Sequence, residues 1–236
     1  FALSKTSQKP QALSMRERIK QIAREQFIRR GLSEVTFGDI AALAGTTRAN
    51  VHYHFGNKID LITEVFRETF ESVIAINDEI WLTPGRTLDE RIRLTQEDAC
   101  RRFYEFNDDP RGNVPWSLSA RARAADDHLL TPELLAGMAD MSRRFEAGVA
   151  HAVYAAIEAG ELRPNTPARA IVLLITPIWH FGPHLTRFSG LNKLIEHYNA
   201  VRLTIRQAYG TDRYPQIDLP LREIKPPKKE QSNEES

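Results

Sequence analysis

The chain has 236 residues, of which 42% are apolar, 27% charged and 8% aromatic, and its formal net charge is +1. This is the composition of an ordinary globular protein. It excludes collagen-like proteins, low-complexity proteins and proteins that depend on several disulfides for stability. The single cysteine, Cys100, has no partner for an intrachain disulfide, and we interpret it as a small apolar side chain.

The apolar runs are too short for a membrane span. The longest covers residues 171–181 and contains Thr176, Pro177 and His180, whereas a membrane-spanning helix needs roughly 20 apolar residues. The first 14 residues are polar and do not have the pattern of a cleavable signal. We therefore expect a cytoplasmic protein with no membrane partner.

Helical periodicity runs through nearly the whole sequence, and strand-type alternation is almost absent. We predict an all-α fold of about nine helices. The predicted helices cover about 15–30, 37–44, 47–54, 58–82, 87–106, 116–129, 131–159, 167–188 and 191–209. Pro177 and Pro183 are expected to kink the eighth of them. Residues 1–13 are predicted to be a flexible arm, and 211–236 a Pro-rich disordered tail.

The two short helices near the N-terminus form a helix-turn-helix pattern. Thr36 and Asp39 have the spacing of a capping box, and Gly45 breaks the first helix. In the second helix Val51 and Phe55 lie four residues apart and can anchor its inner face. The residues left to face DNA are Thr47, Arg48, Asn50, His52 and Tyr53. Since 41–58 contains no acid, this surface suits an approach to phosphate.

The small net charge conceals an asymmetry along the chain. Residues 1–60 hold ten Lys or Arg and five acids, a net +5, while the remainder holds 22 bases and 26 acids, a net −4. A basic N-terminal segment on an acidic body predicts that one end of the protein meets a polyanion.

Residues 16–61 resemble the DNA-binding domain of the TetR family (TetR/AcrR type) of one-component bacterial regulators. The matching stretches read TFGDIAALAG at 36–45 and VHYHFGNK at 51–58. His52 stands where the family usually has Tyr, and Ala49 stands where it usually has Gly. The resemblance implies a three-helix DNA-binding domain over 14–58.

The resemblance also implies roles for individual residues. The implied phosphate contacts are Thr36, Thr47, His52, Tyr53, His54 and Lys58. Base edges would be read by Arg48 and Asn50, with Thr46 near the groove, because Arg pairs with guanine and Asn with adenine in bidentate geometry. The alternatives are that Thr36 acts only as a cap, His54 only packs, and Lys58 is only a solvated charge.

Residues 59–210 are predicted to form an effector-binding and dimerisation domain. A single helix-turn-helix holds one half-site weakly, so such modules bind palindromic double-stranded DNA as dimers. We expect the helices at 167–188 and 191–209 to pair with their copies in a homodimer, since a helix that is apolar nearly all round needs partners on every side. The alternative is that both helices complete a monomeric core.

The helices at 58–82, 87–106 and 131–159 are expected to enclose a pocket for a largely apolar small molecule. Its candidate lining residues are Trp81, Phe103, Phe106, Trp116, Phe145, Trp179 and His180. The alternative is that they are core residues, which is the more typical role of each aromatic side chain taken singly. No charged residue at a securely buried position indicates a charged effector.

The predicted function is therefore a ligand-responsive repressor without enzymatic activity or a cofactor. One alternative is a DNA-binding regulator with no small-molecule effector. Another is a helical metal-dependent enzyme, because His180 and His184 lie four residues apart. Gly182 and Pro183 lie between these histidines and no nearby Glu completes the set, so we predict no metal site.

Overall fold

The computed structural model describes residues 13–122 and 124–216, and its secondary structure in that part of the chain is helical apart from one isolated β-bridge between Leu162 and Gly210. The α-helices are α1 (Met15–Arg30), α2 (Phe37–Ala44), α3 (Arg48–Phe55), α4 (Lys58–Leu82), α5 (Leu88–Tyr104), α6 (Leu118–Arg121), α7 (Pro132–Glu158) and α8 (Ala168–Tyr209). The predicted all-α fold is confirmed. Among the described helices, none combines the length and apolar character needed to cross a membrane.

Helices α1 to α3 form an N-terminal head around one small core. Ser14 caps α1, and Thr36 forms a complete capping box with Asp39 at the start of α2. Gly45 ends α2 in the left-handed conformation, at φ 68°, which a residue with a side chain rarely adopts. The fully or almost fully buried side chains of this core include Ile19, Ala23, Phe27, Ile40, Val51 and Phe55.

An ionic seam joins α1 to α4, the helix that leads from the head into the body. Arg16 donates two hydrogen bonds to Glu64, and the ammonium group of Lys20 contacts Glu17, Glu64 and Glu68. The hydrogen bond from Arg16 is the main cause that lowers the pKa of Glu64. The charges of Arg16 and Lys20 are therefore engaged within the protein.

The predicted helix at 116–129 is wrong. The segment folds instead as α6 and a short 3₁₀ helix (Ala124–Leu129), because contacts with the head direct its path. Arg121 donates to the carbonyl oxygens of Arg29 and Arg30, at 3.3 and 2.6 Å. Asp126 accepts hydrogen bonds from the backbone N–H and the hydroxyl of Ser33, at 3.0 and 2.6 Å.

Helix α8 combines the two helices predicted at 167–188 and 191–209. Its non-helical residue is Gly190, at φ 75° and ψ 170°, whereas Pro177 and Pro183 lie within the helical stretch. A Cβ atom at Gly190 would lie 2.9 Å from the carbonyl oxygen of Pro110, to which Leu191 donates its N–H at 2.8 Å. The break in α8 thus seats the loop after α5 against the helix.

The two predicted flexible ends fall mainly outside the described residues, which exclude 1–12 and 217–236. The first residues of the segment that we predicted as a tail pack on the body. The hydroxyl of Thr211 donates to the carbonyl oxygen of Gly160 at 2.5 Å, and Tyr214 is buried. The predicted division between a DNA-binding domain at 14–58 and a body at 59–210 stays a prediction.

Candidate nucleic-acid interface and internal cleft

Helix α3 has one buried face and one exposed face. Val51 and Phe55 lie in the core of the head, and the guanidinium group of Arg16 lies 4.7 Å from the Phe55 ring centre. On the opposite side Tyr53 is 83% exposed. Arg48 is also exposed, and it forms no ion pair with any residue that the structure describes. Arg48 and Tyr53 are therefore available to an external partner.

The turn between α2 and α3 is held by side-chain hydrogen bonds. The hydroxyl of Thr47 accepts the backbone N–H of Asn50 at 3.2 Å, which caps α3. The amide nitrogen of Asn50 donates to the hydroxyl of Thr46 at 2.9 Å. Thr46 thus already positions the Asn50 amide, which we predicted to read a base. The side-chain oxygen of Asn50 is left to accept a hydrogen bond from a base edge.

His52 is bonded to the end of its own helix. Its Nδ1 lies 2.9 Å from the carbonyl oxygen of Gly56, and its ring packs edge-on against Phe37. A carbonyl oxygen can only accept, so Nδ1 must carry the proton in this bond. In the neutral ring Nε2 then has a lone pair rather than a hydrogen, and it cannot donate to phosphate.

Lys58, the first residue of α4, is bonded to the segment between α1 and α2. Its ammonium group donates to the carbonyl oxygen of Ser33 at 3.0 Å, and burial lowers its pKa. An ammonium has three N–H donors, so two remain for other acceptors. His54 is half-buried, and its ring lies 5.4 Å from that of Tyr53.

The hydroxyl of Thr36 has a complete role within the protein. It donates to Asp39 Oδ2 at 2.6 Å and accepts the Asp39 backbone N–H at 3.2 Å. Hydrogen bonds from Thr36, followed by the effect of Arg30, lower the pKa of Asp39 to about 2. The capping role of Thr36 is therefore present, and a phosphate contact by the same residue stays a prediction.

A cleft opens between α1, α4, α5, α6, α7 and α8. Its empty volume, counted out to the solvent opening, is about 670 Å³. The lining residues are Arg24, Thr69, Phe70, Val73, Arg102, Trp116, Ser117, Leu118, Ser119, Met141, Trp179, His180 and Pro183.

Three of the seven predicted pocket residues line this cleft, namely Trp116, Trp179 and His180. The other four, Trp81, Phe103, Phe106 and Phe145, are buried in the core and are not among its lining residues. Phe145 stacks on Trp179, with ring centres 4.3 Å apart, and Trp81 packs edge-on against Phe145. These two core rings therefore support the wall of the cleft from behind.

Polar contacts fix the orientation of the side chains around the cleft. The indole N–H of Trp116 donates to the hydroxyl of Thr186 at 2.9 Å. His180 Nε2 lies 3.2 Å from the hydroxyl of Ser142, and burial lowers the pKa of His180, which favours its neutral form. No group of three or more potential metal ligands occurs among residues 13–122 and 124–216.

Comparison with known proteins places the head in a described family. The family profile "Bacterial regulatory proteins, tetR family" matches residues 20–65, which run from α1 into α4. Residues 20–65 are therefore similar to the N-terminal domain of TetR-family regulators.

Two curated relatives match about a quarter of the chain. The HTH-type transcriptional regulator TtgR of Pseudomonas putida is 36% identical over 64 residues, 27% of this chain and 30% of TtgR. The HTH-type transcriptional repressor BepR of Brucella suis biovar 1 is 35% identical over 57 residues, 24% of this chain and 27% of BepR. The matches thus span less than a third of either relative.

The body is similar to TetR-family structures in fold alone. A solved complex of SmeT with triclosan superposes with a TM-score of 0.63 at 19% identity, covering 89% of this chain and 100% of SmeT. The similarity in fold to SmeT therefore extends over most of the chain.

Sequence reasoning missed two charged residues of the cleft, Arg24 and Arg102. Both lie in amphipathic helices, where arginine normally faces solvent. The signal that points to Arg102 is spatial, because its guanidinium group lies 5.1 Å from the Trp116 ring, across the cleft wall. The sequence separation of these residues gives no indication of that contact.

Proposed function

We propose that the chain is a ligand-responsive transcriptional repressor that binds a palindromic operator as a homodimer. One observation carries the proposal: α3 has a buried inner face and an acid-free outer face on which Arg48 and Tyr53 are exposed. A helix of this kind can lie in the major groove with its N-terminal residues at the base edges.

The contacts with DNA divide into base reading and positioning. Arg48 forms a bidentate pair with guanine, and Asn50 contacts adenine from its fixed place beside Thr46. Thr47, Tyr53, His54 and Lys58 bind backbone phosphates and set the register of the helix. Thr36 and His52 support these contacts from within the protein in this proposal, because their side chains are bonded to Asp39 and to the carbonyl oxygen of Gly56.

The surface of α8 supports the dimer. Phe181 and Phe188 are 65% and 82% exposed, and Leu173 and Leu174 are also exposed on this helix. Exposed apolar groups of this size mark an interaction surface. A second copy is the occupant we propose, because a two-fold pair presents two heads to half-sites one helical turn apart, as an inverted repeat in DNA requires.

The internal cleft is the proposed effector site. The similarity in fold to SmeT, whose structure contains triclosan, supports a small organic molecule as the ligand. The name of BepR as a repressor supports the sign of regulation. A ligand can change operator affinity only if it binds more tightly to one arrangement of the two heads than to the other.

Selection of bound duplexes from a random double-stranded pool tests this proposal. We expect enrichment of an inverted repeat and binding that weakens steeply with salt. Arg48→Ala should lose about 1–3 kcal/mol of preference at one base pair of each half-site. The matched control is Arg143→Ala, an exposed arginine on α7. Recovery of no enriched sequence, or equal binding by Arg48→Ala, would contradict the proposal.

A further inference from the structure

The internal cleft contains two arginines and no acid. Arg24 comes from α1 of the head and Arg102 from α5 of the body, and the thirteen lining residues include neither Asp nor Glu. A second, more open depression shares Arg24 and Arg102 with the cleft, so both side chains lie where the cleft meets solvent. An anion can therefore reach them from outside. The other charged residues of this depression are Lys20, Arg101, Glu17, Glu68 and Glu105.

Few carboxylates contact these arginines directly. Asp98 contacts both Arg101 and Arg102, and its Oδ2 lies 2.9 Å from Arg102 Nε. Glu105 is shared at longer distances, 3.7 Å from Arg24 and 3.8 Å from Arg101. Three guanidinium groups thus share two carboxylates.

The terminal nitrogens of both arginines lack strong partners. Among the described residues, Arg102 donates no hydrogen bond through its Nη atoms, and Arg24 has the long contact with Glu105 and lies over the Phe106 ring at 5.8 Å. Arg102 lies instead over the Trp116 ring at 5.1 Å. A carboxylate can accept two parallel N–H donors from one guanidinium group. This paired, charge-assisted bond is stronger than the bonds that water makes with the same group at the opening of the cleft.

The remaining wall suits a flat or branched apolar body. Phe70, Met141, Trp116, Trp179 and Pro183 contribute apolar surface. The polar groups between them are uncharged: they are the hydroxyls of Thr69, Ser117 and Ser119, and His180, whose neutral form burial favours. The cleft therefore combines a cationic mouth with an apolar interior.

We propose that this cleft binds a small organic monoanion, a carboxylate on an aromatic or branched apolar body, with Arg24 and Arg102 holding the carboxylate. The inference rests on the proposed function, because it names the chemical class of the effector. Since the two arginines belong to the head and to the body, the bound anion ties one to the other and changes operator affinity.

Paired titrations of the unmodified protein test the charge requirement. Calorimetry would compare benzoate with benzamide, 2-naphthoate with 2-naphthamide, and 3-phenylpropanoate with its amide, each pair having the same body. We expect at least one carboxylate to bind about 10-fold or more tightly than its amide. Equal affinities within every pair, or no carboxylate binding at about 1 mM or below, would overturn the inference.

Substitutions assign the preference to the two arginines. Arg24→Gln and Arg102→Gln should each weaken the carboxylate about 10-fold and leave the amide unchanged, while Arg143→Gln on α7 leaves both unchanged. Arg102→Lys should restore part of the preference. A preference that survives both Gln variants places the anion elsewhere and overturns the assignment. If Arg102→Gln does not fold, Arg24→Gln and the titrations of the unmodified protein still decide.

Operator binding separates this inference from the function on which it rests. The selected duplex would be titrated with and without the carboxylate that binds. Duplex binding without any carboxylate preference overturns only the anion site. A carboxylate preference without duplex binding keeps the anion site and overturns the proposed function.

Discussion

Arg202 of α8 and Asp89 of α5 form a two-pronged ion pair inside the body. Arg202 Nε lies 2.8 Å from Asp89 Oδ1, and Nη2 lies 2.6 Å from Oδ2. The two side chains are only 3% and 8% exposed. The pair joins residues 113 positions apart in the sequence, and it fixes α5, which carries Arg102, against α8.

Asp89→Ala should destabilise the protein by about 3–5 kcal/mol, because it leaves the Arg202 charge buried without a partner. The double variant Asp89→Leu with Arg202→Met should lose less stability than Asp89→Ala, since it removes both charges. Urea unfolding followed by circular dichroism measures the difference. Glu196→Ala, which breaks an exposed pair with Lys193 on the same helix, is the control and should change little. A double variant as unstable as the single one would contradict this account.

His52→Tyr should strengthen operator binding about 3- to 10-fold at neutral pH. The neutral imidazole donates its only hydrogen toward Gly56, whereas a tyrosine hydroxyl can donate to phosphate. Fluorescence anisotropy with the selected duplex measures the affinity. His151→Tyr, at an exposed position on α7, is the matched control. Weaker binding by His52→Tyr would show that the imidazole itself makes a favourable contact.

Lys58→Ala should weaken binding to all duplexes by a similar factor and reduce the slope of log affinity against log salt by about 1. The reason is that an ammonium group binds phosphate and reads no base. Titrations at several salt concentrations, on the selected and a scrambled duplex, measure both effects. Thermal unfolding must accompany them, because the same variant loses the hydrogen bond to Ser33. A change confined to the selected duplex would contradict a pure phosphate contact.

Phe181→Glu should convert the proposed homodimer to a monomer at micromolar concentration, because it places a charge in the apolar surface that we assign to the partner. Light scattering coupled to size exclusion gives the mass. Leu135→Glu, at an exposed position on α7, is the control and should stay dimeric. A Phe181→Glu protein that remains dimeric would place the interface elsewhere.

The head was predictable because its signals are local. The spacing of Thr36 and Asp39 fixes a helix start through hydrogen bonds between near neighbours, and the spacing of Val51 and Phe55 identifies a buried face. The structure confirms the start of α2 and the inner face of α3. These features need no knowledge of the rest of the chain.

The cleft was only partly predictable, because burial looks the same in a sequence whether a ring faces a core or a cavity. Trp179 lines the cleft and Phe145 lies directly behind it, yet both are aromatic residues on apolar helix faces. The path of 116–129 depends on contacts with Ser33 and on those of Arg121 with α1, which lie about 90 positions away in sequence. Periodicity within the segment carries no information on such contacts.

Besides the ionic seam of α1 and α4, the joint between head and body includes contacts with the peptide backbone of the head. Arg121 contacts the carbonyl oxygens of Arg29 and Arg30, and Asp126 accepts the backbone N–H of Ser33 as well as its hydroxyl. Backbone groups are the same whatever side chains α1 carries. A head with a different operator preference could therefore be grafted onto this body, provided that it keeps Ser33, the seam residues Arg16 and Lys20, and Arg24 of the proposed ligand site, and the resulting chimera would respond to the same proposed ligand while controlling a different promoter.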